Sequence, residues 1–171
     1  MKEFVVLVDQ NDQKLGLMEK QQAHVAGLLH RAFSVFIFNS KGELMIQQRA
    51  ANKYHSPTLW TNTCCSHPRE DETYKQAAHR RLQEEMGFDC DLDFKFSFIY
   101  KAHLDNNLTE HELDHVFFGT FNEEPNLNPE EVMAYRWVEL EDLKKDIETN
   151  PQNYTAWFKI IFEHYVSYIE A

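Results

Sequence analysis

The sequence predicts an α/β (α+β) sandwich, a mixed β-sheet flanked by helices, and three observations carry that reading. β-Prone runs and helical segments follow one another in mixed order along the chain. One central helical run has a sharply defined apolar stripe and a glycine stop. The 171 residues are 43% hydrophobic with three tryptophans, enough for one core and incompatible with a disordered chain. No repeat, low-complexity tract or Gly/Ser linker divides the chain, so residues 1–171 are expected to form one domain.

Phe4 to Val8 is a short β-prone run closed by the polar stretch Asp9 to Asp12. Ala32 to Phe38 and Glu43 to Gln48 read as two strands joined by Asn39-Ser40-Lys41-Gly42, a hairpin signal. Residues 50–70 form a long connection carrying Pro57 and Pro68, and connections of that length are commonly functional. A helix is expected over 72–86, where Tyr74, Ala77, Ala78, Leu82 and Met86 align along one stripe and Gly87 ends it in a left-handed cap. Phe94 to Ala102 and Glu112 to Phe121 read as strands separated by the polar loop His103 to Thr109. A strand from Ala134 to Val138 leads into a helical segment from Glu139 to about Glu148. Tyr154 to Tyr168 closes the chain as an aromatic-rich amphipathic helix.

Seventeen basic against 28 acidic residues give a net charge of −11, which argues against a nucleic-acid partner. A small anionic substrate would need a local basic pocket. Only five consecutive apolar residues precede Asp9, too few for a signal peptide, and no run approaches the ~20 apolar residues of a membrane span. Three cysteines, two of them adjacent, make a poor disulfide framework and indicate a reducing compartment. The expectation is a soluble, cytoplasmic, monomeric protein with no membrane or nucleic-acid partner.

Chemistry concentrates in TNTCCSHP, Thr61 to Pro68, and in AHRRLQEEMG, Ala78 to Gly87. The first places a thiol and an imidazole, Cys65 and His67, two residues apart. In the second, Arg81 and Glu85 fall within the apolar stripe, one turn apart. Charges on a buried face must be paired, bind metal or line a cavity, because unpaired burial is costly; a purely structural Arg81–Glu85 ion pair is the lesser alternative. His24 and His30, together with His67 and Glu110-His111-Glu112, form a donor set suited to a divalent metal. If the Glu112-to-Phe121 strand starts at or before Glu110, period-two alternation puts Glu110 and Glu112 on one face, which Val116 and Phe118 continue inward. Lys20, Arg49, Lys53 and Arg81 are candidate phosphate ligands, since arginine forks match phosphate oxygens.

Glu72 and RRLQEEMGF resemble the Nudix box, G-x5-E-x7-R-E-U-x-E-E-x-G-U, with Ser66 in place of its first glycine and Arg81 in place of the glutamate after the box arginine. In the family's hydrolases that glutamate helps to hold Mg²⁺ on a nucleoside diphosphate, a task a cation cannot perform. HRAFSVFIFN, QQRA, LWTNTCCSHP, RRLQEEMG, EHELDHVFF and TAWF also occur in the order seen in the type I isopentenyl-diphosphate delta-isomerases. This resemblance runs from about Lys20 to Phe158. Two features depart from the pattern: the His24-to-His30 segment varies in length among relatives, and Ala156 stands where many members have proline.

The resemblance implies a Nudix-like α/β/α sandwich that converts isopentenyl diphosphate into dimethylallyl diphosphate in isoprenoid biosynthesis. It implies Cys65 as proton acceptor and Glu112 with Tyr100 as proton donor. It further implies a Zn²⁺ or Mn²⁺ held by His24, His30, His67, Glu110 and Glu112. Glu85 would hold a Mg²⁺ on the diphosphate, with Lys20, Arg49, Lys53 and Arg81 around it and the face of Trp157 against the cationic intermediate. A Nudix-type pyrophosphohydrolase is the alternative enzyme, although it needs no Cys65 and should keep the glutamate at position 81. A non-catalytic zinc module built on Cys64, Cys65, His67 and another histidine is the alternative outside enzymes.

Overall fold

The computed structural model describes residues 3–170. Its elements are β1 (Phe4–Val8), β2 (Lys14–Glu19), α1 (Lys20–Ala26), β3 (His30–Phe38), β4 (Leu44–Arg49), β5 (Trp60–Thr61), β6 (Cys64–Ser66), α2 (Tyr74–Met86), β7 (Asp93–His103), β8 (Thr109–Thr120), β9 (Val132–Val138), α3 (Leu140–Thr149) and α4 (Ala156–Glu170). The strands make one mixed sheet in which β3 and β8 run parallel and the other ladders are antiparallel. Alternation along β3 sorts the core: Phe33, Val35 and Ile37 pack with Cys64, Ala77, Ala78, Leu82 and Met86 beneath α2, whereas Phe36 packs with Val116, Trp157, Phe158 and Ile161 beneath α4.

Helix α2 begins two residues later than the sequence suggests. Thr73 caps it in a reciprocal box with Gln76 (Gln76 N–H to Thr73 Oγ1, 3.1 Å; Thr73 N–H to Gln76 Oε1, 2.9 Å). Glu72 is drawn instead to Arg80, which donates to it from Nε at 2.6 Å and Nη2 at 2.8 Å. Gly87 ends the helix at φ +72°, where a β-carbon would collide with the Asn126 carbonyl.

The expected hairpin opens almost at once. β3 and β4 pair only at Phe38 and Leu44, after which β6 lies against β3 and β5 against β4. Thr63 bridges the split: its hydroxyl accepts from Ile37 N–H at 2.9 Å and donates to the Met45 carbonyl at 2.6 Å. Asn62 Nδ2 adds donations to the carbonyls of Val35 at 3.1 Å and Cys64 at 2.8 Å. The 50–70 connection is thus partly sheet, and its TNTCC segment supplies bonds that the diverging strands cannot give each other. β8 also starts earlier than expected, at Thr109, which brings Glu110 into the strand. β2 and α1 are additions to the expected elements.

Candidate active site

Register and alternation place the functional side chains. Cys65 pairs with Ser34 and Glu112 with His30, on opposite edges of β3. Ser34 and His30 are four residues apart, so these groups share a face with Glu110 and Asp114. The partner of Glu112 on β7 is Tyr100.

The first cluster is built on two carboxylates. His24 Nε2 lies 2.7 Å and His55 Nε2 3.0 Å from Glu110 Oε1. His30 Nε2 lies 3.1 Å and His67 Nε2 2.7 Å from Glu112 Oε2, and Tyr100 Oη donates to Glu112 Oε1. One donor atom from each of His24, His30, His67, Glu110 and Glu112 lies within 4.8 Å of all the others. His24 Nδ1 donates to the Lys20 carbonyl at 2.7 Å and His30 Nδ1 to the Leu28 carbonyl at 2.9 Å, which turns both Nε2 atoms inward. Glu110 Oε2 is buried without a partner. Converging lone pairs around an orphaned carboxylate oxygen fit a bound divalent cation.

Burial opposes the charged form of His24 and His30, but hydrogen bonds donated to the Glu110 and Glu112 carboxylates outweigh it and raise both. For His67 burial prevails and lowers the imidazole to about 3. Burial works against the Glu110 carboxylate as well, yet its hydrogen bonds with His24 and His55 hold it well below the usual range.

The second cluster is made of ion pairs. Arg81 donates from Nη1 to Glu84 at 3.0 Å and from Nη2 to Glu85 at 2.9 Å, with Glu131 3.2 Å from Nη2. Lys53 pairs with Glu131. Gln47 Nε2 holds the other Glu85 oxygen at 3.0 Å. The sequence offered an ion pair or a cavity for Arg81 and Glu85, and the structure has both, since the paired side chains also line the pocket.

A cavity of about 350 Å³ joins the clusters. Cys65, Glu112, Glu110, His67, Glu85, Lys20, Arg49, Lys53, Arg81 and Trp157 line it, as the sequence reading requires. His24 and His30 are fully buried behind its wall. Tyr100 lies outside the lining and reaches the cavity only through Glu112. Arg49 donates to the carbonyls of Ser56 and His55, both at 3.2 Å, and stands 5.3 Å from the Trp157 ring, so it also anchors the loop. Lys20 pairs with Glu3 at 3.1 Å.

Burial pushes the Cys65 thiol up; Arg49 opposes, but Glu85, Glu112 and Asp114 reinforce the rise. Cys64 is fully buried under α2, on the opposite face of the short strand from Cys65. That orientation separates the two sulfurs and removes the zinc module that required both with His67.

Ser34, Tyr54, His55, Asp114 and Glu131 also line the cavity and were not foreseen. Asp114 extends the period-two series of Glu110 and Glu112, a signal the sequence did contain. It is buried, accepts from Ser34 Oγ at 2.8 Å, and is raised well above its ordinary value by burial and then by Glu112. Glu131 carried no comparable signal, because it reaches Arg81 from the loop before β9.

Comparison with known proteins places this geometry. The family model described as NUDIX domain matches residues 28–158. The Isopentenyl-diphosphate Delta-isomerase of Pectobacterium atrosepticum is 51% identical over 167 residues, covering 98% of this chain and 93% of the relative. Isopentenyl-diphosphate Delta-isomerase 2 of Photorhabdus laumondii is 55% identical over 161 residues, covering 94% and 91%. Among solved structures, a protein of Deinococcus radiodurans superposes with a TM-score of 0.78 at 20% identity, covering 95% of this chain and 99% of that one. A MutT NUDIX hydrolase from Burkholderia pseudomallei gives 0.63 at 18% identity, covering 80% and 98%. These two structures share the fold.

Proposed function

This chain belongs to the isopentenyl-diphosphate Delta-isomerases of the Nudix family and interconverts isopentenyl and dimethylallyl diphosphate, and from that premise we propose how its residues divide the work. The alkene of isopentenyl diphosphate is a very weak base. A proton must be added at its terminal carbon, giving a tertiary cation, and another removed from the carbon on the far side of the cationic centre. A donor and an acceptor must therefore reach the two carbons that flank the cationic centre, in a site closed to water.

Glu112 is the cavity-facing donor, and Tyr100, hydrogen-bonded behind it, restores its proton. Cys65, on the other edge of β3, takes the departing proton. Trp157 presents its ring to the cation; such contacts are worth ~2 kcal/mol or more when desolvated. Arg81, Lys53, Lys20 and Arg49 receive the diphosphate. Glu85 would hold a Mg²⁺, which when bound would offset the diphosphate's charge. His24, His30, His67, Glu110 and Glu112 would hold Zn²⁺ or Mn²⁺, which when bound makes the proton on its carboxylate ligand more acidic.

The observation that carries this assignment is the placement of Cys65 and Glu112 on one sheet face and in one cavity, between a donor cluster and a cation cluster. No helix among the described residues is long and apolar enough to cross a membrane.

The test is NMR of isopentenyl diphosphate with the protein in D₂O. Dimethylallyl diphosphate carrying solvent deuterium in a methyl group is the expected product. Release of inorganic phosphate or pyrophosphate without a shift of the double bond would support a hydrolase instead.

A further inference from the structure

Four imidazoles converge on Glu110 and Glu112, but only three of them belong to the donor set. The fourth, His55, is buried, and its Nδ1 has no backbone carbonyl to donate to among the described residues. His24 Nδ1 and His30 Nδ1 each face a backbone carbonyl, at 2.7 and 2.9 Å, which can only accept, so Nδ1 carries the proton and Nε2 is left to ligate an ion; the Tyr54 hydroxyl, 3.1 Å from His24 Nδ1, is the longer contact there. In His55 the Nδ1 atom faces the Ser56 hydroxyl at 3.3 Å, which can donate, and Nε2 lies 3.0 Å from Glu110 Oε1. That oxygen already faces His24 Nε2 at 2.7 Å. With the proton of His24 on Nδ1, a second unprotonated nitrogen on the same anionic oxygen would set lone pairs against one another.

We infer that His55 is the positioning residue of the metal site: it carries its proton on Nε2, donates it to Glu110 Oε1, and so leaves the buried, unpartnered Glu110 Oε2 for the ion. Two further contacts fix its ring. Arg49 Nη2 holds the His55 carbonyl at 3.2 Å, and the ring meets Trp157 edge-on, with centroids 5.9 Å apart at 89°. The same side chain therefore braces a metal ligand and the aromatic wall of the cavity. The sequence gives no hint of this, because His55 is a lone histidine in a proline-containing loop.

The inference rests on the metal site proposed above, and one experiment separates their failures. The whole protein, ¹⁵N-labelled on histidine and loaded with ¹¹³Cd²⁺, should show cadmium–nitrogen coupling at Nε2 of His24, His30 and His67. His55 should show none, and its long-range proton–nitrogen pattern should place its proton on Nε2. Coupling at His55, or a proton on its Nδ1, overturns the inference while leaving the metal site intact. Absence of coupling at all four rings removes the metal site, and the inference with it.

Two variants give an independent reading by chelator competition for Zn²⁺. H55L removes the donor while preserving bulk and should weaken Zn²⁺ binding about 10–100-fold, the usual cost of losing an outer partner of a ligand. H55Q returns an N–H donor and should recover affinity to within a few-fold of the parent. A packing role alone would favour leucine over glutamine, so Zn²⁺ binding by H55L as tight as the parent, or by H55Q as weak as H55L, would overturn the inference.

Discussion

The two ends of the cavity solve the problem of buried charge in opposite ways. At the histidine end, rings are turned by backbone carbonyls and two carboxylates are shared among four imidazoles, so the arrangement is set by contacts within the protein. At the cation end, Arg81 and Lys53 are already engaged by Glu84, Glu85 and Glu131, partners that a diphosphate must displace or share. One end is organised by geometry and the other by exchangeable ion pairs. Defects in the first should therefore appear in metal content and turnover, and defects in the second in substrate affinity.

The sharpest test lies between the ends. Cys65→Ala should lower turnover by about 10²–10⁴-fold, the range for a lost acid–base group, while Zn²⁺ and diphosphate still bind. Cys64→Ala, which trims a fully buried side chain beneath α2, should keep most activity and cost about 1 kcal/mol of stability. Normal deuterium incorporation by the Cys65 variant, with loss in the Cys64 variant, would reverse the assignment.

Next in size are Glu110→Gln and His67→Ala. Each should lower Zn²⁺ content and activity together, and the double variant should lose far less than the product of the single losses, as residues acting as one unit do. Full metal content in both single variants, measured by elemental analysis, would dissolve the distinction between the ends.

Arg81→Glu probes the other end. It adds a carboxylate among Glu84, Glu85 and Glu131 and should weaken diphosphate affinity about 10–100-fold, as expected when one charged hydrogen-bonding partner worth ~1.5–3 kcal/mol is lost. It should leave Zn²⁺ content unchanged and yield no hydrolase. Efficient phosphate release by this variant would contradict the reading.

The smallest effect is expected outside the cavity. The hydrogen bond from Arg80 holds the Glu72 carboxyl below its ordinary value. A depressed folded-state value adds stability above the unfolded pKa of about 4.3 and surrenders it as pH falls through the folded value. Glu72→Gln should therefore cost about 0.5–1 kcal/mol at neutral pH, because the pair is partly solvated. Thermal melts of parent and variant should converge in acid; a constant gap across pH would show that the ion pair is not the cause.

The parts legible in the sequence were those governed by short periods. The stripe of α2, the Gly87 stop, the shared face of Glu110 and Glu112, and the opposite faces of Cys64 and Cys65 all follow from local geometry. The splayed hairpin was not legible, because Thr63 chooses partners 26 and 18 residues away. β2 escaped notice because its apolar Leu15 and Leu17 face outward, against the usual pattern, and α1 is only seven residues long. The companions of Glu110 and Arg81, namely His55 and Glu131, depend on tertiary approach alone.

The Thr63 strut also links the attachment of the loop to the integrity of the sheet. The Ile37 amide, deep in β3, has its hydrogen bond to a side chain carried by the segment that also presents the thiol. Exchange of that amide with solvent requires the segment to lift away, so its protection reports how often the loop detaches. An enzyme that must shield a carbocation from water gains from this arrangement: the acceptor leaves its place only in the rare openings that also part the strands beneath it.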